Sequence, residues 1–325
     1  MDAKLLLLIA LPCLLFVQTY GNSRVVIVGQ VRLEGCHQVK ACPSRPRNPV
    51  STRNIFTDYI RQNHWVSLKG DVILKGCYSV KNCKDTHPPG SKQKPASSCK
   101  AIKSQLKSAK SGVYYIKTKP TVTKVYCYME DIPGCGDGGW TTIIKTNGKK
   151  KTFLYKSAFW ANKIPYRVTN GQSGADDKET KLPTYWTLPF RRLCLGMKIA
   201  GQKNPRWIRL NYKASSLYSV IADGKYRKVS IGRNVWKSLI AGSSLQRNCN
   251  KEGFNVVPGE VNHERVRIGI SSNNENACYN NDSRIGFGGD GIQCGRGRLS
   301  TGNCARVGGD NGDKTTPAHG YILAM

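Results

Sequence analysis

The sequence predicts a disulfide-stapled α+β domain preceded by a small cysteine-repeat module. Three observations carry that expectation: a cysteine count that becomes even once a leader is removed, short alternating apolar runs mixed with a few helix-spaced segments, and a duplicated Gly-Cys element near the start.

Residues 1–21 read as a secretory signal peptide. Lys4 precedes an apolar run from Leu5 to Val17 that is too short to span a bilayer, and Thr19 and Gly21 occupy the small positions before a cut. Removal of this leader predicts a secreted, extracellular chain without a membrane span. Cys13 leaves with it, so the 13 cysteines become an even set that an oxidising compartment can pair. No C-x-x-C spacing occurs, which argues against a redox motif or a zinc ribbon.

A small cysteine-repeat module is expected over 22–83. Val31-Arg-Leu33-Glu-Gly35-Cys36-His-Gln-Val39-Lys40-Ala-Cys42 aligns without a gap on Val72-Ile-Leu74-Lys-Gly76-Cys77-Tyr-Ser-Val80-Lys81-Asn-Cys83, with seven identities. Each copy reads as a strand running into a cysteine-closed corner. Lys69-Gly70-Asp71 has the form of an integrin-binding tripeptide, but it leads straight into the second copy and reads as a turn.

Residues 84–98, rich in Pro, Ser and Lys without apolar periodicity, are expected to be a basic linker. Together with the segment that follows, they contain the densest basic run of the chain: Lys92, Lys94, Lys100, Lys103, Lys107 and Lys110. These six are the residues expected to hold a polyanion. A formal net charge of +31 supports the same expectation, because such a surface attracts acidic partners in a salt-dependent way. For a secreted chain those partners are acidic macromolecules, glycans or a mineral surface, and not nucleic acid.

From Cys99 to Met325 the pattern becomes that of a folded domain. Helical spacing over Ala101–Ser111 is followed by strands at Gly112–Ile116 and Lys124–Met129 around a Pro120 turn, and by a third at Trp140–Ile144 closed by Asn147-Gly148. Further strands are expected at Trp207–Tyr212 and Val266–Ile270, with a helix near Val235–Ile240. The last fifty residues, rich in Gly, Asn and Asp, read as loops.

Local catalytic motifs are missing. There is no G-x-S-x-G, His263-Glu264 lacks the second histidine of a zinc-protease helix, and His37, His64, His87, His263 and His319 are scattered. Gly286-Phe-Gly288-Gly289-Asp-Gly291 matches a dinucleotide fingerprint by letter only, without the strand and helix that give the motif meaning. The expectation is therefore a non-enzyme.

Cys99, Ser111-Gly112-Val113-Tyr114, Val125-Tyr126-Cys127 and Gly138-Gly139-Trp140-Thr141 form an ordered series. It resembles the opening of fibrinogen C-terminal-like domains. Downstream, Asp223-Gly224, Ile231-Gly232-Arg233-Asn234, Asn248-Cys249-Asn250, Ser283-Arg284-Ile-Gly286 and Asn311-Gly312-Asp313 resemble the variant found in cnidarian secreted proteins and, more loosely, intelectin-type lectins. The likeness covers about residues 96–325.

The resemblance implies a fibrinogen C-terminal-like domain over 99–325 and a bridge between Cys99 and Cys127. It also implies a setting among extracellular matrix proteins, such as the organic matrix of stony-coral skeletons, or a calcium-dependent carbohydrate-binding role in innate recognition. Closing a loop of this size removes about 3–4 kcal/mol of unfolded-state freedom. The chain departs from the family in lacking an aspartate-rich calcium loop with a following Cys-His pair, in carrying Tyr128 after the second cysteine, and in inserting Pro133-Gly134-Cys135-Gly136.

If calcium is bound, the expected oxygen donors are Asp290, Asp310, Asn311 and Asp313, in the glycine-rich segment from Cys278 to Asp313 that holds three cysteines. Asn281-Asp282-Ser283 is the expected N-glycosylation acceptor, with the sugar on Asn281.

Overall fold

The structure is a computed structural model that describes residues 87–260 and 262–325 in full and, within 1–86, the backbone of nine short strands. The chain divides into two compact units, Met1–Thr86 and His87–Met325.

In the first unit Leu6–Ala10 pairs with Cys13–Tyr20, which pairs with Arg24–Val28, both antiparallel. Both repeat copies supply strands. Val72–Lys75 of the second copy lies parallel to Arg24–Val28, and Ser79–Val80 lies parallel to Arg32–Leu33 of the first. Cys36, Cys42, Cys77, Cys83 and Lys69-Gly70-Asp71 lie outside the described residues.

The second unit contains strands β1 (Gly112–Lys117), β2 (Val122–Tyr128), β3 (Trp140–Asn147), β4 (Thr180–Lys181), β5 (Phe190–Ile199), β6 (Arg206–Ala214), β7 (Arg227–Lys228), β8 (Asn248–Val256), β9 (Val266–Asn273), β10 (Ser283–Phe287), β11 (Thr301–Ala305) and β12 (Lys314–Ala324). Its helices are α1 (Cys99–Gln105), α2 (Thr184–Thr187), α3 (Leu217–Ile221) and α4 (Arg233–Ser238). One sheet runs β1-β2-β3-β12-β11-β10-β9-β8-β7, with β4 added to β3 and β5-β6 branching from β12. All of its pairings are antiparallel.

β12 is the hub. Its first residues pair with β11, from Ala305↔Lys314 to Gly302↔Pro317, and its last residues lie between β3 and β5. That placement explains why Tyr321-Ile-Leu-Ala324 is fully buried.

The α+β expectation needs correcting to a mostly antiparallel sheet with few helices. The longest of these helices, α1, has 7 residues. Helical spacing exists only in such short windows, and the sheet carries most of the core. Ile143, Leu193, Leu195, Ile268, Ile285 and Ile322 meet Trp160, Tyr185, Leu217, Ile221 and Trp236 from the segments that cover them. Burying side chains of this size stabilises by roughly 1.5–3 kcal/mol each.

The cover is fixed by caps. The Ser216 and Ser219 side chains form a reciprocal capping box on α3. Glu252, on β8, accepts from Ile231 N and Gly232 N ahead of α4 and from Trp236 Nε1 at 2.7 Å.

The last fifty residues also depart from expectation, since β10, β11 and β12 run through them. Gly286, Gly302 and Gly320 are strand residues, while the other glycines of this stretch lie in the loops between the strands. Gly253, Gly269, Gly286 and Gly302 lie opposite one another in successive strands β8, β9, β10 and β11. A Cβ at these four positions would sit 2.0, 2.2, 2.3 and 2.1 Å from a backbone oxygen of a neighbouring segment. The column therefore reflects close backbone approach across the sheet, the one strand environment that demands glycine.

Gly138 and Gly139 serve a local turn. A Cβ on Gly138 would overlap the Met129 carbonyl at 1.6 Å, and Gly139 adopts φ +107°. The turn delivers Trp140 into a fully buried position, where its Nε1 donates to Gly136 O at 2.9 Å.

Candidate polyanion-binding lobe

The lysine-rich segment folds into a small lobe built from α1, β1 and β2. Ser98 starts α1 by accepting a hydrogen bond from Ala101 N with its side chain. The helix buries Cys99 and Ile102 and leaves Lys100 exposed, as is Lys107 just beyond its end. Ile102, Ala109, Ile116, Val125 and Met129 form its apolar centre, and the Cys99–Cys127 bridge ties the helix to β2 across 28 residues.

The helix is shorter than the spacing over 101–111 predicts. Leu106 leaves helical geometry, and the Lys103 ammonium takes up the freed carbonyl of Lys107 at 2.7 Å.

Part of the stretch expected as a linker pairs with β1. Tyr115 N donates to Gly90 O, Ala96 N to Tyr115 O and Lys117 N to Ala96 O, so 90–96 borders β1. Backbone hydrogen bonding, which composition does not reveal, attaches this half of the stretch to the lobe.

Of the six expected lysines, Lys92, Lys100, Lys107 and Lys110 are exposed and Lys94 and Lys103 are half-buried. Lys103 is partly engaged at the helix end, as described, and Lys100 Nζ lies 3.6 Å from Met325 Sδ. Lys117, Lys119 and Lys124, which the sequence reading passed over, join them from the β1-β2 hairpin and are also exposed. The segment His87–Met129 thus carries nine lysines and no Asp or Glu. Glu130 closes it, accepting hydrogen bonds from Ser111 N and Oγ.

Several acidic residues elsewhere in the unit are engaged by cations within the fold: Asp176 pairs with Lys145, Asp177 with Lys198, Asp223 with Arg227, Asp290 with Arg265 and Glu264 with Arg284. The lobe by contrast holds nine lysines with Glu130 as the carboxylate at its end. Such a surface repels itself mildly and attracts anions over about a Debye length, about 8 Å at physiological ionic strength.

The bridge should matter for the lobe. Replacing Cys99 and Cys127 with Ser is expected to cost about 3–4 kcal/mol. Denaturant titration checks the loss, and an unchanged midpoint would contradict it.

The expected calcium donors do not converge. Asp290 faces Arg265 at 3.0 Å and accepts from Gly297 N, while Asp310 takes Arg233 at 2.7 Å and Lys237 at 2.5 Å. Asp313 lies 3.6 Å from Arg306, and Asn311 bonds to Ser243 and Ser244. No group of three or more His, Cys, Asp or Glu suited to a metal occurs among the described residues. Here the acidic side chains neutralise the protein's own cations.

Burial alone would raise the Asp310 carboxyl, but hydrogen bonds from Lys237 and Arg233 outweigh it and hold the group at about 2. A depressed carboxyl stabilises the fold above its unfolded value of 3.8, and that contribution is lost as pH falls through about 2. Asp310→Asn should therefore melt below the parent at neutral pH, with the gap closing in acid. A gap independent of pH would refute the linkage.

Asn281 is a second correction. Its side chain is fully buried, and Nδ2 donates to Ser271 Oγ at 3.0 Å and contacts Cys249 Sγ at 3.5 Å. The folded unit has no room for a sugar there, because the sequon lies at the entry to β10 rather than in an open loop.

His263 is held between two carboxylates, with Asp282 Oδ1 3.2 Å from Nδ1 and Glu260 Oε2 3.2 Å from Nε2. Asp282 also accepts from Gln293 at 2.6 Å and Gln246 at 3.1 Å. This network joins four segments of the chain.

Three other bridges staple the unit: Cys135–Cys194, Cys249–Cys278 and Cys294–Cys304. Cys135 lies inside the inserted Pro133–Gly136 segment and fastens it to β5, and the cysteine was the legible sign that the insertion packs. No helix among the described residues is long and apolar enough to cross a membrane. No family model matches the chain, and comparison with curated proteins finds no match.

Proposed function

We propose that this chain is a secreted, non-enzymatic extracellular matrix protein that holds acidic macromolecules or an anionic mineral surface, as a skeletal organic matrix requires. The observation that carries the reading is the run of nine lysines without a carboxylate over His87–Met129, in a lobe whose helix and hairpin are tied by the Cys99–Cys127 bridge. A rigid array of cations loses less side-chain and backbone freedom on binding than a flexible arm does. Four disulfides among the described residues support an extracellular setting.

The same reading takes 99–325 as a fibrinogen C-terminal-like domain. The Cys99–Cys127 bridge and the glycine turn that seats Trp140 support it.

Chromatography on an immobilised sulfated polysaccharide tests the function. The protein should elute only at high salt, and chelator should leave the elution unchanged. Release by chelator at low salt would overturn this reading in favour of a calcium-dependent lectin.

A further inference from the structure

The two faces of the β1-β2 hairpin differ in chemistry. Tyr114, Ile116, Thr123, Val125 and Cys127 point toward α1, as their burial shows. The alternate residues occupy the outer face, where register sets Val113 opposite Tyr126, Tyr115 opposite Lys124 and Lys117 opposite Val122.

This outer face is neither apolar nor simply basic. Val113 is 43% and Val122 47% exposed, toward opposite ends of the hairpin. Lys117 and Lys124 are exposed beside them, and the Lys124 ammonium lies 5.5 Å from the Tyr115 ring centre. Tyr126 extends the aromatic surface inward to Tyr128, with ring centres 4.9 Å apart. Two of its three cross-strand pairs thus set a cation beside an apolar or aromatic side chain, Lys124 with Tyr115 and Lys117 with Val122.

We infer that the outer face of this hairpin docks an anionic polysaccharide, with sulfate or carboxylate groups on Lys117 and Lys124 and the C–H faces of the sugar rings against Tyr115, Val113 and Val122. The inference rests on the polyanion reading above and narrows it to a carbohydrate. Charge complementarity selects an anion, since His87–Met129 holds no carboxylate to compete for the lysines. The exposed apolar and aromatic positions select among anions. A polyaspartate chain or a mineral lattice gains little from a valine or a tyrosine ring, whereas a pyranose has an apolar face that buries against both. Tyrosine suits such a ligand because its ring buries apolar surface while its hydroxyl stays wet.

The test compares a sulfated oligosaccharide with polyaspartate of similar length as ligands of the full chain, by calorimetry or interferometry. Tyr115→Leu/Val122→Asn should weaken the oligosaccharide about tenfold, the worth of one or two lost apolar contacts, and leave polyaspartate unchanged. Lys117→Gln/Lys124→Gln should weaken both ligands. If the first variant fails to fold, Val113→Asn/Val122→Asn alters only exposed side chains and should show the same selectivity. Equal affinity of the apolar variants and the parent for the oligosaccharide, or an equal loss for both ligands, overturns the carbohydrate assignment while leaving the polyanion reading in place. Failure of the parent to bind either ligand overturns both.

Discussion

Glu264→Ala should lower the unfolding free energy by about 3–5 kcal/mol, because it strands a buried guanidinium. Glu264 is fully buried, and the Arg284 side chain is almost equally so. The pair meets at 2.5 Å between Nε and Oε2. Gln293 N donates to the other carboxylate oxygen at 3.0 Å, and Arg284 Nη2 donates to Leu299 O at 2.8 Å. Nη1 has no hydrogen-bond partner, so Arg284 has none to spare once the carboxylate is gone.

The neighbouring glycines make room for the pair. A Cβ on Gly289 would lie 2.2 Å from Arg284 Nη1, and one on Gly291 would lie 2.2 Å from Glu264 Oε1. This is the structural role of the glycine run that mimics a dinucleotide fingerprint. Removing both charges in Glu264→Gln/Arg284→Met should recover most of the loss. Denaturant unfolding reads the difference, and a single variant within 1 kcal/mol of the parent, on the order of an exposed pair, would contradict it.

Lys181→Met carries the opposite sign. Lys181 is fully buried on β4 and donates to Asn162 O at 2.7 Å and Oδ1 at 2.8 Å. The rings of Phe159, Tyr185 and Trp186 surround the ammonium at 5.6, 4.9 and 5.6 Å from their centres. No carboxylate pairs with it among the described residues. Burial pushes its pKa down to about 8 from an ordinary 10.5.

Between those values the unfolded chain holds the proton that the folded chain releases. Stability therefore rises with pH over that window, by on the order of 3 kcal/mol. Met fills a similar volume without a charge to desolvate, and half-buried Asn162 can turn to water. The variant should unfold later than the parent at pH 7, and its advantage should shrink as pH rises above about 8, because only the parent gains stability there. A variant less stable than the parent at neutral pH would show that the aromatic cage repays the buried charge.

Alternation and spacing made much of this fold legible. β1, β2, β3, β6 and β9 lie where apolar residues alternate, and α4 lies near its expected span because Trp236 and the following apolar residues face one side. Several of the strands that escaped notice bear a glycine. In β8, β10 and β11 glycine fulfils a demand from the neighbouring strand, and no local window contains that neighbour.

The site was legible to the same degree. Lys92 to Lys110 stand out because they are contiguous, whereas Lys117, Lys119 and Lys124 join them only through hairpin pairing. Asp310 and Asn281 were misleading for a related reason. The guanidinium that takes the one lies 77 positions away, and the residues that enclose the other, Cys249 and Ser271, lie 32 and 10 positions away.

The central claim is that the lobe, and not the overall charge of +31, holds the polyanion. Two variants of equal charge separate these. One changes Lys92, Lys107, Lys110, Lys117 and Lys119 to Gln. The other changes Lys149, Lys150, Lys151, Lys156 and Lys203, which are equally exposed elsewhere. Binding of a sulfated polysaccharide is measured across a salt series. The account predicts that the lobe variant loses most of its salt dependence, about one unit of slope for each lysine contact removed, while the other stays near the parent. Equal losses in the two variants would contradict it.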